Sequence, residues 1–229
     1  MLFIFQENNV VTDDIISEEK TISIFQLIVD GGIGGQIIIG LLFILLAVSL
    51  YIYFERFFTI KAAAKMDANF MNQIKDYVLN GKIDTADALC KSKNTPISRL
   101  IGKGISRIGK PLDDINTAIE TAGKLEIYQL EKNVSILATV AGAAPMLGFL
   151  GTVIGMIVAI HEIANSGGQI DIKLLSDGLY TAMTTTVAGL IVGIVAYVAY
   201  NHLVVRTDKV VYEMEAKSVE FLDLLNQPG

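Results

Sequence analysis

The charged residues of this chain fall in blocks and leave three uncharged runs, at 31–54, 133–160 and 178–201. They hold 24, 28 and 24 residues. Each exceeds the ~20 residues with which a helix rising ~1.5 Å per residue crosses a ~30 Å hydrocarbon layer. Three membrane helices are therefore expected.

The middle run is unusual among membrane helices. From Ala144 to Met156 it reads Ala-Pro-Met-Leu-Gly-Phe-Leu-Gly-Thr-Val-Ile-Gly-Met. Pro145 removes a backbone donor, and Gly148, Gly151 and Gly155 leave little side chain on one side, so a neighbouring helix can approach closely. At roughly 100° per residue, Ala141, Pro145, Gly148, Thr152, Gly155 and Ala159 share a stripe on which Thr152 is the one polar side chain. The third run has a similar face: Ala182, Thr186, Gly189 and Gly193 lie within one stripe, in a segment that also holds Thr181, Thr184 and Thr185.

The polar blocks read as helices broken by turns. Residues 62–79 have helical apolar spacing, Asn80-Gly81 is a turn, and Asp84 is placed to cap a short helix carrying Ala86, Ala88, Leu89 and Cys90. Thr95-Pro96 is an N-cap with proline at the first helical position, opening a helix to about Ile108 that Gly109-Lys110-Pro111 ends. One helix is expected from about Leu112 to about Ile163, so that the second span projects as a stalk. Apolar positions from Val204 to Leu225 continue the third span as a second stalk beside the first. Upstream, residues 18–30 have the spacing of a short amphipathic helix lying on the outer surface. Glu55-Arg56 at the end of the first span reads as snorkelling charge, with contact to another subunit as the alternative.

Composition agrees: 52% of residues are hydrophobic and the mean hydropathy is +0.51. The net charge of -6 says little about nucleic acid, and none is expected as a partner. The single cysteine, Cys90, cannot form an internal disulfide. No metal-ligand spacing surrounds it or either histidine, so neither a metal nor a cofactor is expected. Basic residues set the orientation. The segment 55–132 carries 13 of the 18 Lys and Arg, and Arg206, Lys209 and Lys217 follow the third run, against Lys173 alone between the second and third. The positive-inside rule puts the long segment and the C-terminus in the cytoplasm and the N-terminus outside. The apolar start, residues 1–5, is shorter than the ~7 to 15 residues of a signal-peptide core and is read as retained.

The chain resembles the ExbB/TolQ/MotA proton-channel family, most of all ExbB. The residues that carry the resemblance are Leu130-Glu131-Lys132 through Met156, with Ile136-Leu137-Ala138-Thr139 and Gly151-Thr152-Val153-Ile154-Gly155-Met156, then Thr186-Val187-Ala188-Gly189-Leu190 with Tyr200-Asn201. It implies an all-α inner-membrane protein of three spans, assembled as a homopentameric ring whose second and third helices line a pore. That pore would hold the single spans of ExbD-like subunits, two copies being expected, each with a proton-carrying aspartate. A TonB-like protein would carry the work to the outer membrane. By the same resemblance Thr152 and Thr186 match the family's two pore threonines, with Thr181 and Thr185 in the same pathway and Pro145, Gly148, Gly151, Gly155, Gly189 and Gly193 packing around it. A carboxylate at bilayer depth needs hydroxyls or water about its charged form, which threonines supply without charge. The bland role for such threonines is a bond to their own helix backbone.

Two departures from the family pattern matter. Thr181 stands where many ExbB-like chains have glutamate, and Val195 where a proline is common, so the third helix should be straighter near Val195. With no acidic side chain in the runs, the titrating group has to come from a partner. The organisation expected is a periplasmic extension at 1–30, spans at 31–57, 131–163 and 177–203, a cytoplasmic helical domain at 58–130, a periplasmic loop at 164–176 and a cytoplasmic helix at 204–229. A TolQ-like role in envelope constriction, a MotA-like role in motility and a non-conducting membrane scaffold in lipid are the other readings. An intramembrane enzyme ranks last, because the runs hold no Ser/His or Asp/Asp pair and no nucleotide loop.

Overall fold

The computed structural model describes residues 33–65, 67, 69–165 and 172–226. The amphipathic stretch expected at 18–30 and the loop expected at 166–168 lie outside them. Among the described residues the chain is all helical: α1 (Ile33–Ala63), α2 (Phe70–Leu79), α3 (Ile83–Lys93), α4 (Pro96–Ile105), α5 (Leu112–Glu131), α6 (Val134–Asn165) and α7 (Ile172–Leu225). Three helical stretches, containing α1, α6 and α7, are long and apolar enough to cross a membrane. With 54 residues, α7 reaches roughly 80 Å at ~1.5 Å per residue and runs unbroken through Val195.

Two cores divide the molecule. One joins the three spans through Ile38 and Leu42 of α1, Val140 and Ala144 of α6, and Val192 and Ala196 of α7. The other is the core of a helical bundle, in which Phe70 and Ile74 of α2, Ile97 and Ile101 of α4, Ile119 of α5, and Met214 and Phe221 of α7 are buried together. The second half of α7 therefore packs beside α4 and α5. At Gly104 of α4 a methyl group would lie 2.6 Å from the Phe221 ring and 2.8 Å from Ile119.

Local chemistry accounts for the helix ends, and three of them depart from expectation. The capping box at Thr95 forms as its sequence suggests: the Ser98 amide donates to Thr95 Oγ1 at 3.2 Å and the Thr95 amide donates to Ser98 Oγ at 2.8 Å. The helix expected across 62–79 is instead interrupted after Ala63, because Asp67 accepts from the Asn69 amide at 3.1 Å and holds Lys93 at 3.1 Å, starting α2 afresh. Asp84 does not cap α3; Lys82 occupies that position and Asp84 sits in the first turn, where its charge favours the helix dipole.

The long helix expected from Leu112 also divides, at Lys132 and Asn133. Asn133 adopts a left-handed conformation (φ 64°), which asparagine tolerates better than most residues. In a continuous helix the Gln129 carbonyl would accept from the Asn133 amide. Here Arg56 Nη1 donates to it instead at 3.1 Å. Arg56 is thus not a snorkelling charge: its side chain is only 8% exposed, it pairs with Glu55, and it ties the end of α1 to the end of α5.

A second tie joins α1 to α7 at the same level. Arg206 Nε donates to His202 Nε2 at 2.9 Å, which leaves Nδ1–H to donate to Tyr53 Oη at 2.9 Å. The Arg206 guanidinium lies 4.9 Å from the Phe57 ring centroid.

Cys90 is buried between α3 and α4, where a methyl group on Gly102 would lie 3.3 Å from its Cβ. Burial, reinforced by the Asp87 carboxylate, pushes its thiol up from the ordinary 9.0 to about 12. The fold thus favours the protonated thiol, so this contribution to stability is complete below pH 9.0 and is lost as pH rises toward 12. Maleimide at neutral pH should label the folded protein far more slowly than protein unfolded in detergent, as read by mass. Equal labelling rates would contradict a closed α3–α4 contact.

Candidate functional site

The extended contact between α6 and α7 is built almost without side chains. The buried residues of α6 here are Ala144, Gly148, Gly151, Gly155 and Ala159. Facing them on α7, Ala182, Thr185, Gly189, Gly193 and Ala196 are buried. A methyl group on Gly148 would lie 2.8 Å from the Thr185 carbonyl oxygen and 3.2 Å from Gly189 Cα. One on Gly189 would lie 2.6 Å from the Ala144 carbonyl oxygen, and one on Gly155 would lie 3.1 Å from that of Gly178. The two backbones touch, which in lipid is the main route to helix association.

Pro145 fits the same logic. Lacking an N–H, it leaves the Ala141 carbonyl without its helical donor. Gly193 covers that region: a methyl group there would meet Pro145 Cγ at 2.7 Å and the Ala141 oxygen at 3.2 Å. All six packing residues singled out from the sequence therefore meet in this seam, although Pro145 itself is half-buried.

The threonines separate into two groups. Thr185 has no exposed surface and donates to Ala182 O at 2.9 Å and, more distantly, to Gly148 O at 3.4 Å. Its Cβ fills the space that Gly151 leaves, 2.6 Å from where a methyl group would stand. Thr181 is 9% exposed, donates to Asp177 O at 2.9 Å, and faces α1, where its Cγ2 would lie 2.7 Å from a methyl group on Gly35. In the single chain both are interior residues. Thr152 and Thr186 are half-buried at the flank of the seam. Thr152 donates to Phe149 O at 2.6 Å, a bond within its own helix. Thr186 instead donates across the seam to Gly148 O at 3.2 Å.

The stripes drawn from the sequence share Gly148, Gly155 and Ala159 of α6 and Ala182, Gly189 and Gly193 of α7 with the faces that make contact, and differ from them at the threonines. Gly151, not Thr152, points at α7, and Thr185, not Thr186, occupies the centre of the seam. The sequence reading did not pick out Gly35 and Gly178, or Arg56 at the break after α5. A signal for Gly178 was present, since Gly178, Ala182, Thr185, Gly189, Gly193 and Ala196 repeat at spacings of three and four.

The profile of the MotA/TolQ/ExbB proton channel family matches residues 92–216, more than half of the chain. The chain belongs to this family. It is a channel family and not an enzyme family. Among similar proteins, the biopolymer transport protein ExbB of Helicobacter pylori (strain J99) is 40% identical over 79 residues, which are 34% of this chain and 54% of that one. A putative biopolymer transport protein ExbB homolog of Methanothermobacter thermautotrophicus is 28% identical over 120 residues, 52% of this chain and 42% of that one. The Tol-Pal system protein TolQ of Haemophilus influenzae is 32% identical over 110 residues, 48% of each chain. The chain thus spans about half the length of the curated relatives it matches. The family match covers the α6–α7 seam in full.

Because the obstructing atom at Gly189 is backbone, Gly189→Ala should lower stability by about 1–3 kcal/mol. Gly142→Ala, at a site with nothing within 4 Å, should change it little or raise it slightly. Melting of the two variants in one detergent tests this, and equal melting temperatures would refute the backbone contact.

Proposed function

We propose that this multi-pass membrane protein is the channel-forming subunit of a proton-driven motor in a bacterial inner membrane. In this reading α6 and α7 of several copies, expected as a homopentamer, surround a pore. An ExbD-like single-span partner carries the titrating carboxylate, and a TonB-like protein takes the work to the outer membrane. The carrying observation is the α6–α7 seam itself: two helices free of acidic and basic side chains through the apolar layer, locked backbone to backbone, with Thr152 and Thr186 at the flank.

Physical chemistry supports each part. A helix pair with no Asp, Glu, Lys, Arg or His between Asn133 and Ile160 or between Gly178 and Asn201 has no group of its own that exchanges a proton readily near neutral pH, so the carrier comes from elsewhere. Half-exposed hydroxyls at bilayer depth suit a passing carboxylate, because they donate to its charged form and accept from its neutral form. Thr181 and Thr185, closed inside the protomer, serve packing in this reading and do not line the pore. Large apolar side chains outside the seam, among them Phe149 and Leu150 of α6 and Leu190 and Ile194 of α7, are exposed on the single chain and suit contact with further copies or lipid. The basic residues of the bundle and tail support a cytoplasmic bundle and C-terminus in this reading. A TolQ-like pathway is the second reading, favoured by the similarity to the Tol-Pal protein over 48% of each chain.

Thr152→Ala and Thr186→Ala should each reduce proton-driven work by about 10-fold or more, the value of a hydrogen bond to a charged group at ~1.5–3 kcal/mol, while the assembled mass stays unchanged. Native mass spectrometry of complexes drawn from the membrane that makes them supplies the second measurement. A ring accompanied by a small single-span subunit with a membrane aspartate supports the motor. A ring with no such subunit after crosslinking leaves the scaffold, and full activity in both alanine variants removes the threonines from the pathway.

A further inference from the structure

A cavity of about 460 Å³ opens where α1 ends and α5 gives way to α6. Its lining includes the cations Arg56, Arg99 and Lys132, the hydroxyls of Thr59 and Thr95, and the single carboxylate of Glu126. Three positive charges thus meet one negative charge. Glu55, which pairs with Arg56 without lining the cavity, still leaves one positive charge in excess.

Two of the cations are held in place. Arg99 donates to Glu126 through Nε at 2.6 Å and through Nη2 at 2.5 Å, and its Nη1 donates to Asn94 O at 2.9 Å. Arg56 donates to Glu55 and to Gln129 O. A guanidinium carries five N–H groups, so each arginine keeps at least one N–H beyond these bonds. Lys132 is exposed, and its ammonium has no protein acceptor among the described residues.

The level of the cavity in the membrane can be read from the chain. Arg56 follows by two residues the apolar run that ends at Phe54, and Lys132 directly precedes the run that begins at Asn133. The third run ends at Asn201, beside the His202 that bonds Tyr53. All three spans therefore lose their apolar character in one plane, the depth at which lipid phosphates lie. A basic pocket between helices at this depth has the charge and position to take an anionic headgroup.

We propose that the Arg56–Arg99–Lys132 cavity is a binding site for a phosphate-bearing anion, in which Lys132 supplies the free donor and the two tethered arginines supply a preformed positive wall. Phosphate oxygens accept from Nζ and from the remaining guanidinium N–H groups in charge-assisted hydrogen bonds. Glu126 lines the same cavity and is bonded to Arg99, so its charge is matched within the protein. The anion is either the phosphate of an acidic phospholipid or free phosphate from the aqueous side. The site needs no proton flux, so its fate and that of the motor reading are independent.

The test uses the full-length protein stripped of lipid in mild detergent and titrated with phosphatidylglycerol or phosphatidylcholine, with retained lipid counted by native mass spectrometry. The wild type should retain phosphatidylglycerol preferentially. Lys132→Gln should lower that retention about fivefold, as expected for one interfacial cation, and Lys132→Arg should keep it. Lys132 makes no bond that the fold needs, so Lys132→Gln should melt as the wild type does in phosphate-free buffer. In parallel, millimolar inorganic phosphate is added to the lipid-free protein. A rise in melting temperature in the wild type and not in Lys132→Gln, without a lipid preference, assigns the site to aqueous phosphate. No preference between the lipids together with no phosphate effect overturns the proposal, as does a phosphatidylglycerol preference that survives Lys132→Gln unchanged.

Discussion

The constraint on which the spans depend is the distance between two backbones. Along the α6–α7 seam nearly all the positions that would carry side chains carry hydrogen or a methyl group, Thr185 being the exception, and several clearances leave no room even for a methyl. Lipid tails provide no hydrophobic drive for two apolar helices to associate, so contact area at van der Waals distance has to provide it. Small residues create that area by letting whole backbones meet. The cost is conformational, since glycine weakens a helix by roughly 1 kcal/mol relative to alanine. In lipid it is offset because the backbone has no alternative partner for its hydrogen bonds than the helix itself.

The second organising feature is the plane at which the spans leave the apolar layer. Here the fold uses full hydrogen-bonding groups. Arg56 satisfies the carbonyl released by the break after α5, and His202 links Arg206 to Tyr53. A polar clamp at this level fixes how α1 stands against α5 and α7 without placing charge in the lipid. Beyond it, the bundle packs with ordinary branched and aromatic side chains, and Phe221 of α7 reaches the space beside Gly104. The seam and the bundle thus follow opposite rules on one continuous helix, α7: small residues in lipid, large ones in water.

How much of this was legible follows from what each signal measures. Charge-free runs report burial in lipid, and they located three spans. Thr95-Pro96 reports a local bond, and it located the start of α4. What periodicity could not resolve was which of the neighbours Gly151 and Thr152 faces α7, because both lie near the edge of one stripe and Gly151 has no side chain to mark its side. The break at Lys132 and Asn133 was hidden for another reason. Nothing local ends the helix there except a left-handed asparagine, and the carbonyl it frees is rescued by Arg56, 73 residues away in sequence. Such a pairing is visible only after folding. The departure at Thr181 had been read for the charge it lacks, whereas its contact with Gly35 shows what its size permits.

The Gly148 carbonyl links the seam to its flank. It accepts from Thr186 Oγ1 at 3.2 Å and lies within 3.4 Å of Thr185 Oγ1, while as part of a regular helix it also receives the amide of Thr152. If Thr186 turns its hydroxyl toward a carboxylate at the flank, Gly148 O keeps its helical partner and is not orphaned. The exchange then costs no more than one neutral hydrogen bond, about 0.5–1.5 kcal/mol net, against a stronger bond to a charged acceptor. Thr185 has no such freedom, because its hydroxyl is enclosed and its methyl and Cβ occupy the space Gly151 provides. Adjacent threonines on one helix are therefore unequal in what they can do, and backbone packing at Gly148 and Gly151 makes them so.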